Sequence, residues 1–101
     1  MSTYGTEFVL GTTIVLQSAY YNSSNIPIDA DESPPVTVEL RDAKANIVQT
    51  GLIAARESVG VYRVKYRTNG LKVGTYYFVF IAYFGGDPDR KSSKFVLKAV
   101  V

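Results

Sequence analysis

The sequence predicts an all-β fold, an antiparallel β-sandwich of about seven strands. Three observations favour this class. Several segments alternate between apolar and polar residues with a period of two, which is the period of a strand that buries one face. Clusters of Gly, Pro, Asn, Asp and Ser separate these segments at intervals of about 8–12 residues. The length of 101 residues fits one domain, whose core we expect over residues 7–101.

Residues 7–10 and 12–20 predict a first pair of strands or one kinked strand, and Gly11 between them marks a bulge or a corner where the chain bends. Alternate residues of the second segment form its predicted core face: Ile14, Leu16, Ser18 and Tyr20. Residues 21–26 are rich in Asn and Ser, whose side chains bond the nearby backbone, so they favour a turn over a strand.

A hairpin is predicted next, after an acidic segment that three prolines bracket. Its strands are residues 36–41 and 47–49, and residues 42–46 form the turn, which begins with Asp and ends with Asn. The first strand alternates, with one face expected in the core: Val36, Val38 and Leu40. The other face is expected in solvent: Thr37, Glu39 and Arg41.

The clearest alternation in the second half of the chain covers residues 61–67. One predicted face of this strand is apolar or aromatic: Tyr62, Val64 and Tyr66. The other predicted face is basic, and we call it the basic stripe: Arg63, Lys65 and Arg67. Residues 52–57, just before, have some helix propensity but are too few for a stable helix, so a strand or one helical turn is expected.

The last third of the chain predicts two more strands. Residues 75–83 are apolar on both faces, which is typical of a central strand packed on both sides. Residues 84–93 are polar and are expected to form a long loop. Residues 94–101 form the final predicted strand.

Two of these strands begin with a Gly-x-Tyr pattern, at Gly60 with Tyr62 and at Gly74 with Tyr76. Glycine supplies turn geometry that other residues avoid. We expect each tyrosine to bury its ring while its hydroxyl reaches back to a backbone group, as in a tyrosine corner. Both tyrosines are therefore interpreted as structural.

The composition excludes several kinds of chemistry. The chain has no His and no Cys, so it has no Cys/His zinc site, no Ser-His-Asp triad, no thiol nucleophile and no disulfide. A two-carboxylate glycosidase mechanism is conceivable, but a small sandwich with its acids in loops offers little cleft. We therefore expect a protein that is not an enzyme and needs no cofactor.

The order of these segments resembles the immunoglobulin-like β-sandwiches of bacterial and phage proteins, most of all the short stand-alone ones encoded among phage head and tail genes. The resemblance covers about residues 11–97 and rests on the following segments: 11–14 (GTTI), 26–29 (IPID), 36–40 (VTVEL), 42–46 (DAKAN), 47–48 (IV), 60–64 (GVYRV), 74–78 (GTYYF), 85–86 (GG) and 95–96 (FV). It implies a non-enzymatic structural, decoration, connector or adhesion role and carries over no catalytic residue. The Cys…Trp…Cys core of antibody domains is absent.

Charge is unevenly distributed along the chain. Residues 1–50 have a net charge of −4 and residues 51–101 a net charge of +6. Copies would stack head to tail, or an acidic partner would bind the basic side, if the two halves lay on different sides; interleaved strands would average the charges out. The basic stripe is a candidate contact for phosphates, an acidic protein or a capsid surface, or else a solvated face paired with Glu39. Nucleic-acid binding is disfavoured, because the interleaved Tyr62 and Tyr66 are expected on the opposite face.

The chain also has more tyrosine than one inner layer can hold. Adjacent aromatic residues on a strand point to opposite faces, so at least one of each adjacent pair must lie outside the core. Tyr and Phe are enriched at protein interfaces. The candidate interface tyrosines, unless loops cover them, are Tyr4, Tyr21, Tyr77 and Tyr83.

The acidic segment is a weak candidate for calcium, which prefers several carboxylate and carbonyl oxygens. Its candidate ligands are Asp29, Asp31 and Glu32, to which Asp87 and Asp89 would add if the two loops met at one end. The segment lacks the glycine and the distal glutamate of an EF-hand loop. Solvated acidic loops that keep an edge from pairing are the favoured interpretation.

The leading functional prediction is a phage virion component: a capsid decoration, head–tail neck or tail accessory subunit that binds virion or scaffold proteins, or copies of itself. The alternative is a cell-surface or secreted adhesion module for carbohydrate or protein, and a small nucleic-acid-binding barrel ranks third. No signal peptide is visible in residues 1–30, and Met1 favours a complete reading frame. The longest apolar run, residues 75–84, is too short for a membrane span of about 20 residues.

Overall fold

The computed structural model describes residues 7–99, which form two β-sheets. The eight strands are β1 (Glu7–Val9), β2 (Thr13–Ala19), β3 (Thr37–Asp42), β4 (Ile47–Ile53), β5 (Ala55–Ser58), β6 (Val61–Arg67), β7 (Gly74–Phe84) and β8 (Asp87–Lys98). None of the described residues is helical, so none forms a helix long and apolar enough to cross a membrane.

The predicted all-β sandwich is confirmed. One sheet has the strand order β1-β8-β7-β3-β4 and the other has the order β2-β6-β5. All neighbours are antiparallel except β1 and β8, which run parallel. The pairings β2-β6-β5 and β8-β7-β3 are those of an immunoglobulin-like sandwich. The chain bends at Gly11, whose φ of 97° suits glycine, and this bend sends β1 and β2 into different sheets.

The core lies between the two sheets, and its predicted faces are confirmed. The buried side chains include Ile14, Leu16, Ser18, Tyr20, Val36, Val38, Leu40 and Tyr62. Phe80 of β7 and Phe95 of β8 are fully buried among them. Phe95 stacks on the ring of Tyr76 with the ring centres 5.6 Å apart. Burial of these large rings away from water stabilises the fold.

Both predicted tyrosine contacts are confirmed. The Tyr76 hydroxyl donates to the carbonyl oxygen of Lys72 at 2.6 Å and accepts from its N–H at 3.1 Å. The Tyr62 hydroxyl accepts from the backbone N–H of Ala30 at 3.0 Å. Gly60 has a φ of 75°, and a Cβ there would lie 2.7 Å from the Tyr20 carbonyl oxygen, so only glycine fits.

The loop expected over residues 84–93 is wrong. Gly85 and Gly86, with φ of 62° and 88°, make a two-residue hairpin turn between β7 and β8, and Phe84 pairs with Asp87. The polar residues 87–94 are strand because they lie at the sheet edge, where a strand needs no apolar alternation. Of the two alternatives for residues 52–57, a strand or one helical turn, the structure shows strand: apart from Ala54, these residues lie at the end of β4 and in β5.

The solvent position expected for Glu39 is also wrong, since that residue is only 7% exposed. It does lie on the outer face of β3, opposite Val79. Its carboxylate is held by the guanidinium of Arg41, with Nη2 3.0 Å and Nε 3.2 Å from Oε1. The neighbouring strand and the arginine cover the side chain without placing it in the core.

Candidate protein-binding surfaces

The outer face of the five-stranded sheet carries a row of apolar side chains along β7. Strand alternation places this row, which we call the apolar stripe, away from the core: Tyr77, Val79, Ile81 and Tyr83. Tyr77 is 38% exposed and the other three are partly exposed. The sequence pattern predicted packing on both faces of this strand, but within residues 7–99 no third layer covers the outer face.

The two sides of the apolar stripe carry different charges. On the β3 side, Arg41 lies opposite Tyr77, and its charge is balanced by Glu39. On the β8 side, Lys94 lies opposite Tyr77 and Arg90 opposite Ile81. Neither Arg90 nor Lys94 takes part in any ion pair within the described part of the chain. The stripe therefore has an apolar centre with a cationic rim on one side.

The structure brings two of the four predicted interface tyrosines together, Tyr77 and Tyr83, on the apolar stripe. Tyr21 is 56% exposed but lies elsewhere, at the end of the sandwich where β2 finishes. Together with Phe84 and Pro88 it lines a depression of about 480 Å³. Tyr4 lies outside the described residues.

The basic stripe occupies the outer face of the three-stranded sheet, and its three members differ. Arg63 is engaged: its Nε donates to the Gln17 side-chain oxygen at 2.6 Å, and Nη1 lies 3.3 Å from a Glu57 oxygen. Lys65 and Arg67 are exposed and form no ion pair within residues 7–99.

The basic stripe does not pair with Glu39, which was one expectation, because Glu39 lies on the other sheet and binds Arg41. Tyr62 and Tyr66 point away from the stripe, as expected; Tyr62 is buried, and the Tyr66 hydroxyl donates to Gln49 at 3.1 Å. The aromatic rings that single-stranded nucleic acids stack on are thus missing from between the basic groups of this strand.

A shallow apolar patch adjoins the basic stripe. Val15 and Ile53, both about half exposed, line a depression of about 410 Å³ with Ala55, Glu57, Arg63 and Lys65. Charged side chains lie within this patch, whereas the apolar stripe consists of four successive outward positions of one strand.

The three candidate calcium ligands do not form a common site. Asp29 accepts from Arg56 Nε at 3.0 Å and from the Gly60 N–H at 2.8 Å, and the bond to Arg56 lowers the pKa of Asp29. Asp31 accepts from the N–H groups of Gly85 and Gly86. Glu32 is exposed. Within residues 7–99 no three acidic, His or Cys side chains lie close enough to hold a metal ion.

The acidic segment instead has a structural use. Asp31 closes the β7–β8 hairpin turn from a distant part of the chain, and its N–H donates to the Tyr83 carbonyl oxygen at 2.7 Å. Asp29 fixes the turn at Gly60. Residues 27–32 and the β7–β8 turn therefore do meet at one end of the sandwich, as the calcium hypothesis required, but the carboxylates there bind backbone N–H groups.

The two oppositely charged halves of the sequence interleave in space. β2 of the first half pairs with β6 of the second, and β3 pairs with β7. A separation of the halves onto two sides is therefore wrong, and the charge that matters is local to each face.

Sequence reasoning missed the cationic rim because it placed Arg90 in a loop of residues 84–93 and began the final strand only at Lys94. The available signal was the Gly85-Gly86 pair, since two glycines after a strand favour a tight hairpin that brings the following residues back along the same sheet. Comparisons with protein-family models, with characterised proteins and with solved structures give no match.

Proposed function

We propose that this protein is a non-enzymatic structural subunit that acts through protein–protein contacts, with the apolar stripe as its binding surface. The observation that carries the proposal is the run of four apolar side chains on an uncovered sheet face. Most monomeric proteins avoid large contiguous apolar patches, and those that have them commonly use them for binding. Its partner is a protein surface with an apolar centre and carboxylates opposite Arg90 and Lys94.

The composition of the stripe supports this assignment. Tyrosine combines a large apolar ring with a polar hydroxyl and loses little conformational freedom when it is buried, so it is frequent at interfaces. Two tyrosines flank Val79 and Ile81, so an apolar centre is bordered by amphipathic side chains. A basic rim adds electrostatic steering and favours an acidic partner over a second copy of this chain.

The setting we propose is a phage virion, where the protein serves as a capsid decoration, head–tail connector or tail accessory subunit. The resemblance to short immunoglobulin-like phage proteins supports this setting. A sandwich that presents one sheet face to a symmetric particle needs no active site, and the absence of His and Cys from the sequence agrees with that role.

The test measures incorporation into particles. The gene is deleted from its native source and restored as wild type, as Tyr77→Ser/Ile81→Ser, or as the matched double variant Lys65→Ser/Arg67→Ser on the other outer face. Particles are purified on a density gradient and the protein is quantified by mass spectrometry. We expect the stripe variant to fall at least about tenfold, because central aromatic and aliphatic contacts dominate interface energy. The control should match wild type.

Two outcomes would overturn parts of the proposal. Equal incorporation of the stripe variant and wild type would remove the apolar stripe as the binding surface. Absence of the wild-type protein from every particle fraction would remove the virion setting. Light scattering tests whether the partner is a second copy of this chain. A wild-type dimer that becomes a monomer in the stripe variant would identify a second copy as the partner.

A further inference from the structure

Within residues 7–99, the edge of the five-stranded sheet beside β8 is only partly covered. β1 begins at Glu7, the first described residue, and pairs in parallel with residues 96–98 of β8. β8 begins at Asp87, so a stretch of about nine residues has a strand partner on the β7 side alone within the described part of the chain. An uncovered strand edge presents unpaired N–H and C=O groups to any chain that can align with it.

The register shows which backbone groups these are. Phe84 and Asp87 flank the two-residue turn, so their backbone N–H and C=O groups bond each other. Along an antiparallel ladder, such hydrogen-bonded pairs alternate with pairs whose backbone groups point away from the partner strand. In the uncovered stretch, the residues of β8 whose backbone N–H and C=O groups point away from β7 are Pro88, Arg90, Ser92 and Lys94. The same alternation makes the backbone groups of Lys98 point away from β7, and its carbonyl oxygen does accept from the Leu10 N–H at 2.9 Å.

Proline at position 88 fits this assignment. Its missing N–H would have pointed away from β7, so the ladder between β7 and β8 loses nothing there. Outward positions of this strand therefore tolerate proline, whereas inward ones would lose a bond to β7.

The side chains beside this edge are basic. Arg90 and Lys94 point to the outer face, next to the apolar stripe, and take part in no ion pair within residues 7–99. Lys91 points the other way and is engaged, with its ammonium 2.6 Å from the Ala19 carbonyl oxygen and 4.4 Å from the centre of the Tyr20 ring. The cations available to a new strand are thus the two on the outer face.

These charges disfavour a second copy as the added strand. In an antiparallel pairing of two β8 edges, the outward residues of one copy oppose the outward residues of the other. Arg90 and Lys94 of both copies would then share one face with no carboxylate among them, and like charges side by side are destabilising. An acidic strand meets the same two cations favourably, so the edge discriminates by charge.

We propose that this edge of β8, which no strand within residues 7–99 covers before residue 96, accepts an extended acidic segment of a partner protein as an additional strand. The segment would pair with the backbone of Arg90, Ser92 and Lys94 and place carboxylates at alternate positions on the outer face. This inference rests on the proposed function in one respect, that the partner is a protein, and it specifies the chemistry of that partner beside the apolar stripe.

The test uses a synthetic nine-residue peptide of alternating Glu and Val, with the same peptide carrying Lys in place of Glu as its control. Hydrogen exchange followed by NMR should slow at the amides of Arg90, Ser92 and Lys94 when the Glu peptide is added. Ser92→Pro should weaken binding about tenfold, because it removes one edge donor and leaves a peptide carbonyl unpaired. Ser92→Val keeps the N–H and should bind as wild type does.

Charge and salt give a second readout. Arg90→Glu/Lys94→Glu should lower the affinity for the Glu peptide at least about tenfold and raise the affinity for the Lys peptide. Added salt should reduce both changes, because exposed charges are screened. Equal binding of both peptides to wild type, or no change in exchange at the three amides, would overturn the proposal.

Other occupants have distinct signatures. If Ser92→Pro lowers the melting temperature with no peptide present and Ser92→Val does not, the chain itself already pairs with this edge and the proposal is wrong. A wild-type dimer that Ser92→Pro dissolves would point to a second copy instead. In the particle assay, loss of the Tyr77→Ser/Ile81→Ser variant with full retention of Ser92→Pro would reject this inference and leave the proposed function standing.

Discussion

The two outer faces of the sandwich are built on the same principle and end with opposite characters. On the three-stranded sheet, outward positions of β6 are basic, and Arg63 is tied to Gln17 and Glu57. On the five-stranded sheet, outward positions of β7 are apolar and no described element covers them. Beside the basic stripe the apolar Val15 and Ile53 lie among charged side chains, whereas the apolar positions of β7 follow one another without a charge between them. Contiguous apolar surface of this kind commonly marks a binding site.

The ion pairs on the two faces differ as well. Glu39 is buried under Arg41 beside the apolar stripe, while Glu57 and Arg63 are both about half exposed. On the five-stranded face the carboxylate of Glu39 is thus buried, and Arg90 and Lys94 of β8 form no ion pair within residues 7–99. The three-stranded face spreads its charges in solvent. This difference is the reason for proposing the β8 side of the five-stranded sheet, rather than the three-stranded sheet, as the partner-binding side.

The largest expected effect separates the two sides of β7. Phe80→Ala should destabilise the protein by about 3–5 kcal/mol, because it opens a cavity in the core between the sheets. Ile81→Ala, one residue along on the outer face, should cost about 1 kcal/mol, since its side chain is already partly exposed. Urea unfolding measures both. Equal losses would mean that the outer face is packed like a core and that the comparison fails.

A smaller effect should distinguish the two ion pairs. Glu39→Gln removes the charge that balances Arg41 beside the apolar stripe and should cost about 1–3 kcal/mol, as charge-assisted hydrogen bonds do. Glu57→Gln on the basic face should cost about 0–1 kcal/mol, as exposed pairs do. Thermal unfolding at low and high salt checks this, and salt should affect the second pair more. The opposite ranking would contradict the burial contrast between the faces.

The smallest effect at neutral pH concerns the interior that both faces share. Burial raises the pKa of both Tyr20 and Tyr66 above 10, and the Tyr20 hydroxyl has no hydrogen-bond partner within residues 7–99. Tyr20→Phe should therefore change stability by less than about 1 kcal/mol at pH 7, whereas Tyr66→Phe loses the bond to Gln49 and should cost about 1 kcal/mol.

In the alkaline range, the same two tyrosines should make the free energy of unfolding fall as the pH rises. A tyrosine whose pKa is raised in the folded state contributes stability that is full below pH 10 and is lost as the pH rises through 10 toward the folded value, because the unfolded chain releases its proton first. Both phenylalanine variants should lose less stability between pH 9 and 11 than wild type. Urea titrations at fixed pH measure this, and slopes identical to wild type would rule out these two groups as its cause.

Much of the fold follows from local pattern. The period of two in residues 12–20, 36–41 and 61–67 fixes which side chains face inward, and the structure buries those faces. The strand start at Gly74 is also local, because the Tyr76 hydroxyl bonds Lys72 only four residues away. The start at Gly60 shares the Gly-x-Tyr pattern, but its tyrosine bonds the distant Ala30.

Where pattern fails, the cause lies in distant residues. The strand at residues 87–94 has no apolar alternation because it lies at an edge, and only its pairing with β7 reveals it. The alternation of residues 36–41 predicts Glu39 in solvent, but Arg41 binds its carboxylate and covers it. Asp29 and Asp31 resemble metal ligands until Gly60, Gly85 and Gly86 donate to them across the sandwich.

The sequence by itself determined the class of the fold, the inward faces of its strands, the tyrosine corner and the exclusion of His- and Cys-based chemistry. Only the tertiary structure decided which outward residues share a surface. It places Tyr77, Tyr83, Arg90 and Lys94 on the outer face of the five-stranded sheet and the basic stripe on the outer face of the other sheet. The physical reason is that strand periodicity is local, whereas sheet order and register depend on pairings between residues far apart in the chain.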